Sequence, residues 1–109
     1  MSADKLNLLK KFFPTAEPFP DGGQLAAYLP GIKVDTPTGL VELNAILYPH
    51  PHTGYETRLF TDRQVAAPNA KNWTAHTLGG RRWWACSWRG VAPTLPWIEI
   101  LANHLRAFR

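Results

Sequence analysis

Apolar and polar positions divide the chain into a helical start, a run of strands and a helical end. Leu6, Leu9 and Phe13 fall at i, i+3 and i+7, one face of a helix that Ser2 or Asp4 would cap. Pro14 would end that helix, because a proline cannot continue its hydrogen-bond ladder. Residues Pro14–Gly23 hold three prolines and two glycines and read as loop. Leu25–Leu29 reads as a short turn or helix stopped by Pro30-Gly31. Strand signals follow. Ile32–Thr36 is a short candidate, Pro37-Thr38-Gly39 a turn, and Val41, Leu43, Ala45 and Leu47 alternate along Leu40–Tyr48. Pro49–Gly54 breaks the strand, Tyr55–Thr61 resumes it, and Val65–Lys71 returns to loop.

The sharpest local signal is Gly79-Gly80, a two-residue hairpin turn between Asn72–Leu78 and Arg81–Trp88. That turn sets Leu78 opposite Arg81, His76 opposite Trp83 and Trp73 opposite Cys86. One face then carries Trp73, Ala75, Trp84, Cys86 and Trp88 and should meet the core. The other carries Thr74, His76, Arg81, Trp83 and Ser87. At the C-terminal end, Thr94 suits an N-cap, with Pro96 in the first turn and Glu99 near the positive end of the helix dipole. Leu95, Ile98, Leu101, Leu105 and Phe108 form a stripe at helical spacing. The plan is α+β: an N-terminal helix, an antiparallel β-meander of about four strands with a Trp-rich hairpin, and a C-terminal helix packed on one face. At 109 residues this is one domain spanning 1–109.

Charge adds an asymmetry. The net charge is +4, but residues 63–109 hold seven basic residues against Glu99 alone. A basic half suits an acidic partner, either a protein face or nucleic acid, and equally a solvated basic surface. No apolar run approaches the ~20 residues that span a bilayer, and Met1–Lys5 lacks the apolar core of a secretory signal, so no membrane and a cytoplasmic location are expected. A lone cysteine excludes an internal disulfide.

Candidate chemistry is sparse. Cys86 is the one strong nucleophile type, but the hairpin register sets it on the Trp face, where a thiol packs as a small hydrophobe. His50 and His52, at i and i+2, would point to one side and need a third ligand, His76 or Cys86, to hold a metal. His104 suits a capping or solvent role. Trp83 stands apart from Trp73, Trp84 and Trp88. It lies on the opposite face with Arg81 and across from His76, so it is either covered by another part of the chain or a binding residue, and Trp83, Arg81, Arg82, Arg89, His50 and His52 are the candidate binding residues. No Gly-rich phosphate loop, paired-carboxylate motif or zinc spacing is present, so no cofactor and no metal are expected.

From Leu40 onward the order of features resembles the compact ubiquitin-conjugating-enzyme-like (UBC-like) domains of bacteria. Carrying the resemblance are Leu43–Tyr48, the Pro-rich turn Pro49–Tyr55, Leu59-Phe60, the stretch Gly80–Val91 and the helix Leu95–Phe108. The His-Pro-Asn tripeptide of active members is absent. The resemblance implies a role in protein modification or defence, with Cys86 accepting a ubiquitin-like protein as a thioester and His76 or His52 assisting. Small members of this kind also serve as partner-binding modules without catalysis. Two functions therefore stand: a thioester carrier, and a non-enzymatic module whose basic Trp/Arg face meets an acidic protein or nucleic acid.

Overall fold

The computed structural model describes residues 2–109, and Ser2 by its backbone alone, so a cap by the Ser2 side chain lies outside the described residues. Helix α1 (Ser2–Lys10) is followed by strands β1 (Glu17–Asp21), β2 (Gln24–Thr36), β3 (Gly39–Tyr48), β4 (Arg58–Thr61), β5 (Thr74–Leu78) and β6 (Arg81–Ala85). Helix α2 (Trp97–Leu105) and a 3-10 turn (Arg106–Phe108) close the chain. The α+β class holds, with six strands in one antiparallel sheet rather than about four. Among the described residues no helix is long and apolar enough to cross a membrane.

The two extra pieces of strand lie where proline misdirects the pattern. β1 occupies the segment expected to be loop. Proline withholds an N–H from the ladder, which an edge strand tolerates, and β1 is an edge of the sheet order β1-β2-β3-β4-β6-β5. Leu25–Leu29 is not a turn or helix but the first half of β2, and Pro30-Gly31 does not stop it. The ladder advances three residues on β2, Leu29 to Ile32, against two on β3, Ala45 to Leu43. This is a β-bulge, and the freed Gly31 N–H donates to Asn44 Oδ1 at 2.9 Å.

The sheet curls strongly. Neighbouring strands are spaced by about 4.8 Å, so β2 and β6, three places apart in the sheet, would stand well separated if it were flat. Instead the Tyr28 ring on β2 meets the Trp83 ring on β6 edge to face, with centroids 6.2 Å apart. Phe19 on β1 likewise reaches the β5–β6 turn at Gly79. The result is a half-barrel with two cores. The larger joins Leu6 and Leu9 of α1 and Trp97, Ile100 and Leu101 of α2 to Ala27, Leu29, Leu43, Ala45 and Leu47 of the sheet. The smaller fills the hollow on the other face with Ala26, Ile46, Tyr48, Phe60, Leu78, Trp83 and Ala85.

That second core corrects the expectation of an open Trp83 face. Trp83 is 3% exposed, covered by the β1–β2 hairpin, and its Nε1–H donates to the Leu78 carbonyl at 3.2 Å. On the opposite hairpin face, Trp73, Cys86 and Trp88 do pack against the larger core, and Trp73 stacks on Phe108. Trp84 is half-buried and belongs to neither core, and Ala75 beside it is exposed. The expected helical stripe packs on the larger core, with Leu101 and Phe108 buried and Leu95, Ile98 and Leu105 partly so, but the helix starts later than expected. α2 starts at Trp97 with Pro96 rather than Thr94 at the cap position, and it buries Trp97, Ile100, Leu101 and His104.

Gly79 shows how tightly the hollow is closed. Its φ is +57°, and a Cβ built there would lie 3.0 Å from Phe19 Cζ, whereas Gly80 (φ +75°) has nothing within 4 Å. Both Gly79→Ala and Gly80→Ala should cost about 1–2 kcal/mol of left-handed strain. Gly79→Ala should cost measurably more in urea unfolding, because Phe19 must yield as well. Equal losses would show that the β1–β2 hairpin does not press on this turn.

Candidate functional site

The open end of the half-barrel gathers polar and aromatic side chains around β3, β4 and the turn between them. Tyr48 pairs with Arg58 across β3 and β4, two residues from the Ile46–Phe60 pair, so both point into the hollow. The Tyr48 hydroxyl donates to Asp21 Oδ2 at 2.8 Å, and burial, followed by this bond and the Asp21 charge, pushes its pKa up to about 12. A phenol held in that way is a structural donor, not a nucleophile.

Residues Pro49–Thr57 fold back on themselves through paired His52 and Tyr55 backbone bonds, with Thr53 and Gly54 as the turn. Thr53 has φ +49°, a strained conformation for a β-branched residue. Its side chain is pinned from both directions. Arg58 Nη1 donates to Thr53 Oγ1 at 2.7 Å, and the same hydroxyl shares a hydrogen bond with His52 Nδ1 at 3.1 Å. The His52 ring stands edge-on to Tyr48, Phe60 and His76, with centroids 5.2, 5.2 and 5.4 Å away. Burial first, and then the Arg58 charge, lowers the pKa of both His52 and His76, so both rings favour the neutral form.

Arg58 is the unusual member. It is 4% exposed and, among the described residues, donates only to neutral oxygens, Thr53 Oγ1 and the Cys86 carbonyl at 3.2 Å. Its guanidinium lies 3.9 Å from the Tyr55 ring centroid. A second guanidinium, that of Arg89, lies over the same ring at 4.3 Å while donating to the Gly54 carbonyl at 3.1 Å. The Tyr55 hydroxyl in turn shares a hydrogen bond with Ser87 Oγ at 2.8 Å. Burial lowers the Arg58 pKa, Tyr55 and Cys86 oppose that, and Arg89 adds to it.

The residues singled out from sequence thus separate into three places. His50, His52 and His76 do come together around Tyr48 and Phe60, although His50 is committed through Nε2 to the Leu25 carbonyl at 2.7 Å. Among the described residues no three His, Cys, Asp or Glu side chains converge as metal ligands would. Cys86 and His76 are not brought together. His76 packs in the hollow, whereas Cys86 faces the helix-side core, where burial pushes its thiol up against the opposing pull of a hydrogen bond at its own backbone and of Arg58. Arg81 and Arg82 are exposed beside the hairpin turn, Arg89 is exposed above Tyr55, and Trp83 is buried. His104, expected at a cap or in solvent, is instead buried on α2 against Thr57.

Arg58, Tyr55 and Asp21 are the members that sequence reasoning passed over. For Arg58 a signal existed. An arginine two residues before Phe60 shares its face in a strand, and a charged residue on a buried face needs a specific reason to be there. Two surface depressions lie away from this cluster, one of about 200 Å3 lined by Glu99, Ala102, Asn103, Arg106 and Arg109, the other of about 190 Å3 beside Thr36, Val41 and Arg63. Compared with protein-family models, with curated proteins and with solved structures, the chain matches none.

Proposed function

We propose that the chain is a non-enzymatic, UBC-like binding domain of the bacterial cytoplasm that recognises an acidic protein surface. The observation that carries this is the paired Arg58 and Arg89 guanidiniums over Tyr55, next to the basic stretch 63–109, whose arginines besides Arg89 (Arg63, Arg81, Arg82, Arg106 and Arg109) are exposed. Nucleic acid is the weaker partner class. A stacking platform needs free aromatic faces. Here Trp83 and Trp97 are buried, Trp73 is stacked on Phe108, and two guanidiniums lie over Tyr55.

The test is a titration with a glutamate-rich peptide and with single-stranded DNA at rising salt. The peptide should bind more tightly than the DNA, with affinity falling as salt screens the arginines. Peptide affinity that is flat with ionic strength, or DNA bound more tightly than peptide, would overturn the proposal.

A second reading keeps Cys86 as a thioester acceptor. One observation favours it: the Arg58 charge pulls the Cys86 thiol toward thiolate. The burial that outweighs this pull argues the other way. Under the binding-domain reading, Cys86 in the folded protein should alkylate more slowly than a free thiol, and Cys86→Ser should leave peptide affinity unchanged. Rapid alkylation of the folded protein together with loss of function in Cys86→Ser would transfer the proposal to the carrier.

A further inference from the structure

We infer that the Arg58–Tyr55–Arg89 stack is the anchor of the interface, a socket for a single carboxylate of the acidic partner. This deepens the binding-domain reading and rests on it. The argument is one of uncompensated charge. A buried cation is costly unless it is paired, and among the described residues Arg58 has only neutral acceptors. The fold also holds a second cation, Arg89, over the same ring, so two like charges share one small volume. The turn between them places Thr53 in a strained left-handed conformation and fixes it through Arg58 itself. Strain and like-charge crowding of this kind persist where a ligand makes use of them.

The ligand class follows from the donors. A guanidinium presents a planar fork that matches a carboxylate, and Arg89 spends only its Nη1 contact on the Gly54 carbonyl. Arg89 is exposed and therefore meets the ligand directly, while Arg58, 4% exposed, supplies field rather than contact. Ser87 Oγ, bonded to the Tyr55 hydroxyl, and the His52 ring, bonded to Thr53, border the same turn. A divalent cation is disfavoured here, since the Arg58 charge already acts against protonating His52 and His76.

The experiment uses the whole chain and four probes: acetate, inorganic phosphate, a glutamate-rich peptide and the corresponding phosphoserine peptide. Arg89→Gln, at an exposed position, should fold normally and lose about tenfold or more in affinity for the glutamate-rich peptide. Arg81→Gln, at the distant hairpin turn, should lose only about two- to threefold. A second readout is independent of affinity. A carboxylate seated on the stack offsets the Arg58 field, so NMR titration should show the His52 and His76 rings protonating at higher pH in saturating acetate, and no such shift in Arg89→Gln. If Arg89→Gln and Arg81→Gln weaken peptide binding equally and acetate leaves both rings unmoved, the anchor is wrong while the acidic-partner reading stands. If the peptide fails to bind but acetate still moves the two rings, the socket stands and the protein-partner reading falls. Phosphate or the phosphoserine peptide binding more tightly than its carboxylate counterpart would overturn the assignment of a carboxylate.

Discussion

Replacing Trp83 by alanine should destabilise the protein by about 3–5 kcal/mol, the range for removing a large aromatic side chain from a core. Three circumstances put it toward the top of that range. Trp83 is 3% exposed and sits in the smaller of two cores, where few other large side chains can relax into the space. It bridges strands that are not neighbours in the sheet, meeting Tyr28 of β2 from β6, so its loss loosens the curl as well as leaving a cavity. Its Nε1–H also donates to the Leu78 carbonyl, a bond worth about 1 kcal/mol that alanine cannot make. Trp83→Phe should recover most of the packing but not that bond, and so should fall between wild type and Trp83→Ala. Urea unfolding checks the order. If Trp83→Ala lost less than about 1 kcal/mol, the hollow would not be a core at all, and Trp83 would return to the surface role its sequence face suggests.

The position of Trp83 also marks the limit of what the pattern of residues conveys. The hairpin register was legible because Gly79-Gly80 leaves one sensible alignment, and the observed pairs Leu78–Arg81 and His76–Trp83 are those the turn dictates. Which face would be covered was not legible, because that depends on β1, and β1 is written Glu-Pro-Phe-Pro-Asp. Two prolines in five residues read as loop by every local rule, yet at an edge they cost the sheet little. Gly22-Gly23, joining β1 to β2 with φ of +54° and +83°, carries the same hairpin signal as Gly79-Gly80 and could have found the strand. The site followed the same logic. His52 and His76 are far apart in sequence and meet only because the sheet curls, so no spacing rule brings them together. Arg58 was visible as a charge on an apolar strand face, but its partner Arg89 enters from the loop after β6, which no register fixes.

Acid should weaken the fold through His104. This ring is 5% exposed on α2 and sits 2.8 Å from Thr57 Oγ1. Thr57 gives its own proton to the Val91 carbonyl at 2.9 Å, so His104 Nε2 is the donor to Thr57. Protonation would place a charge in this buried site, and burial, with the Arg58 charge behind it, pushes the His104 pKa down to about 4 from the ordinary 6.5. The sign follows from proton counting. Between those two values the unfolded chain binds a proton that the folded chain refuses, so stability falls as pH drops below 6.5 and levels off below about 4. The depression corresponds to about 3 kcal/mol, all of it absent above pH 6.5. His52 and His76, also lowered, act in the same direction. His104→Gln keeps a neutral donor for Thr57 and cannot take the proton. Its unfolding free energy should therefore track wild type near neutral pH and exceed it by about 3 kcal/mol near pH 4, with the difference developing across that window. Carboxylates that titrate in the same range do so in both proteins and cancel in the comparison. Parallel stability curves for the two proteins from neutral to acid pH would mean that His104 opens to solvent before it is protonated, and that α2 is not locked onto Thr57.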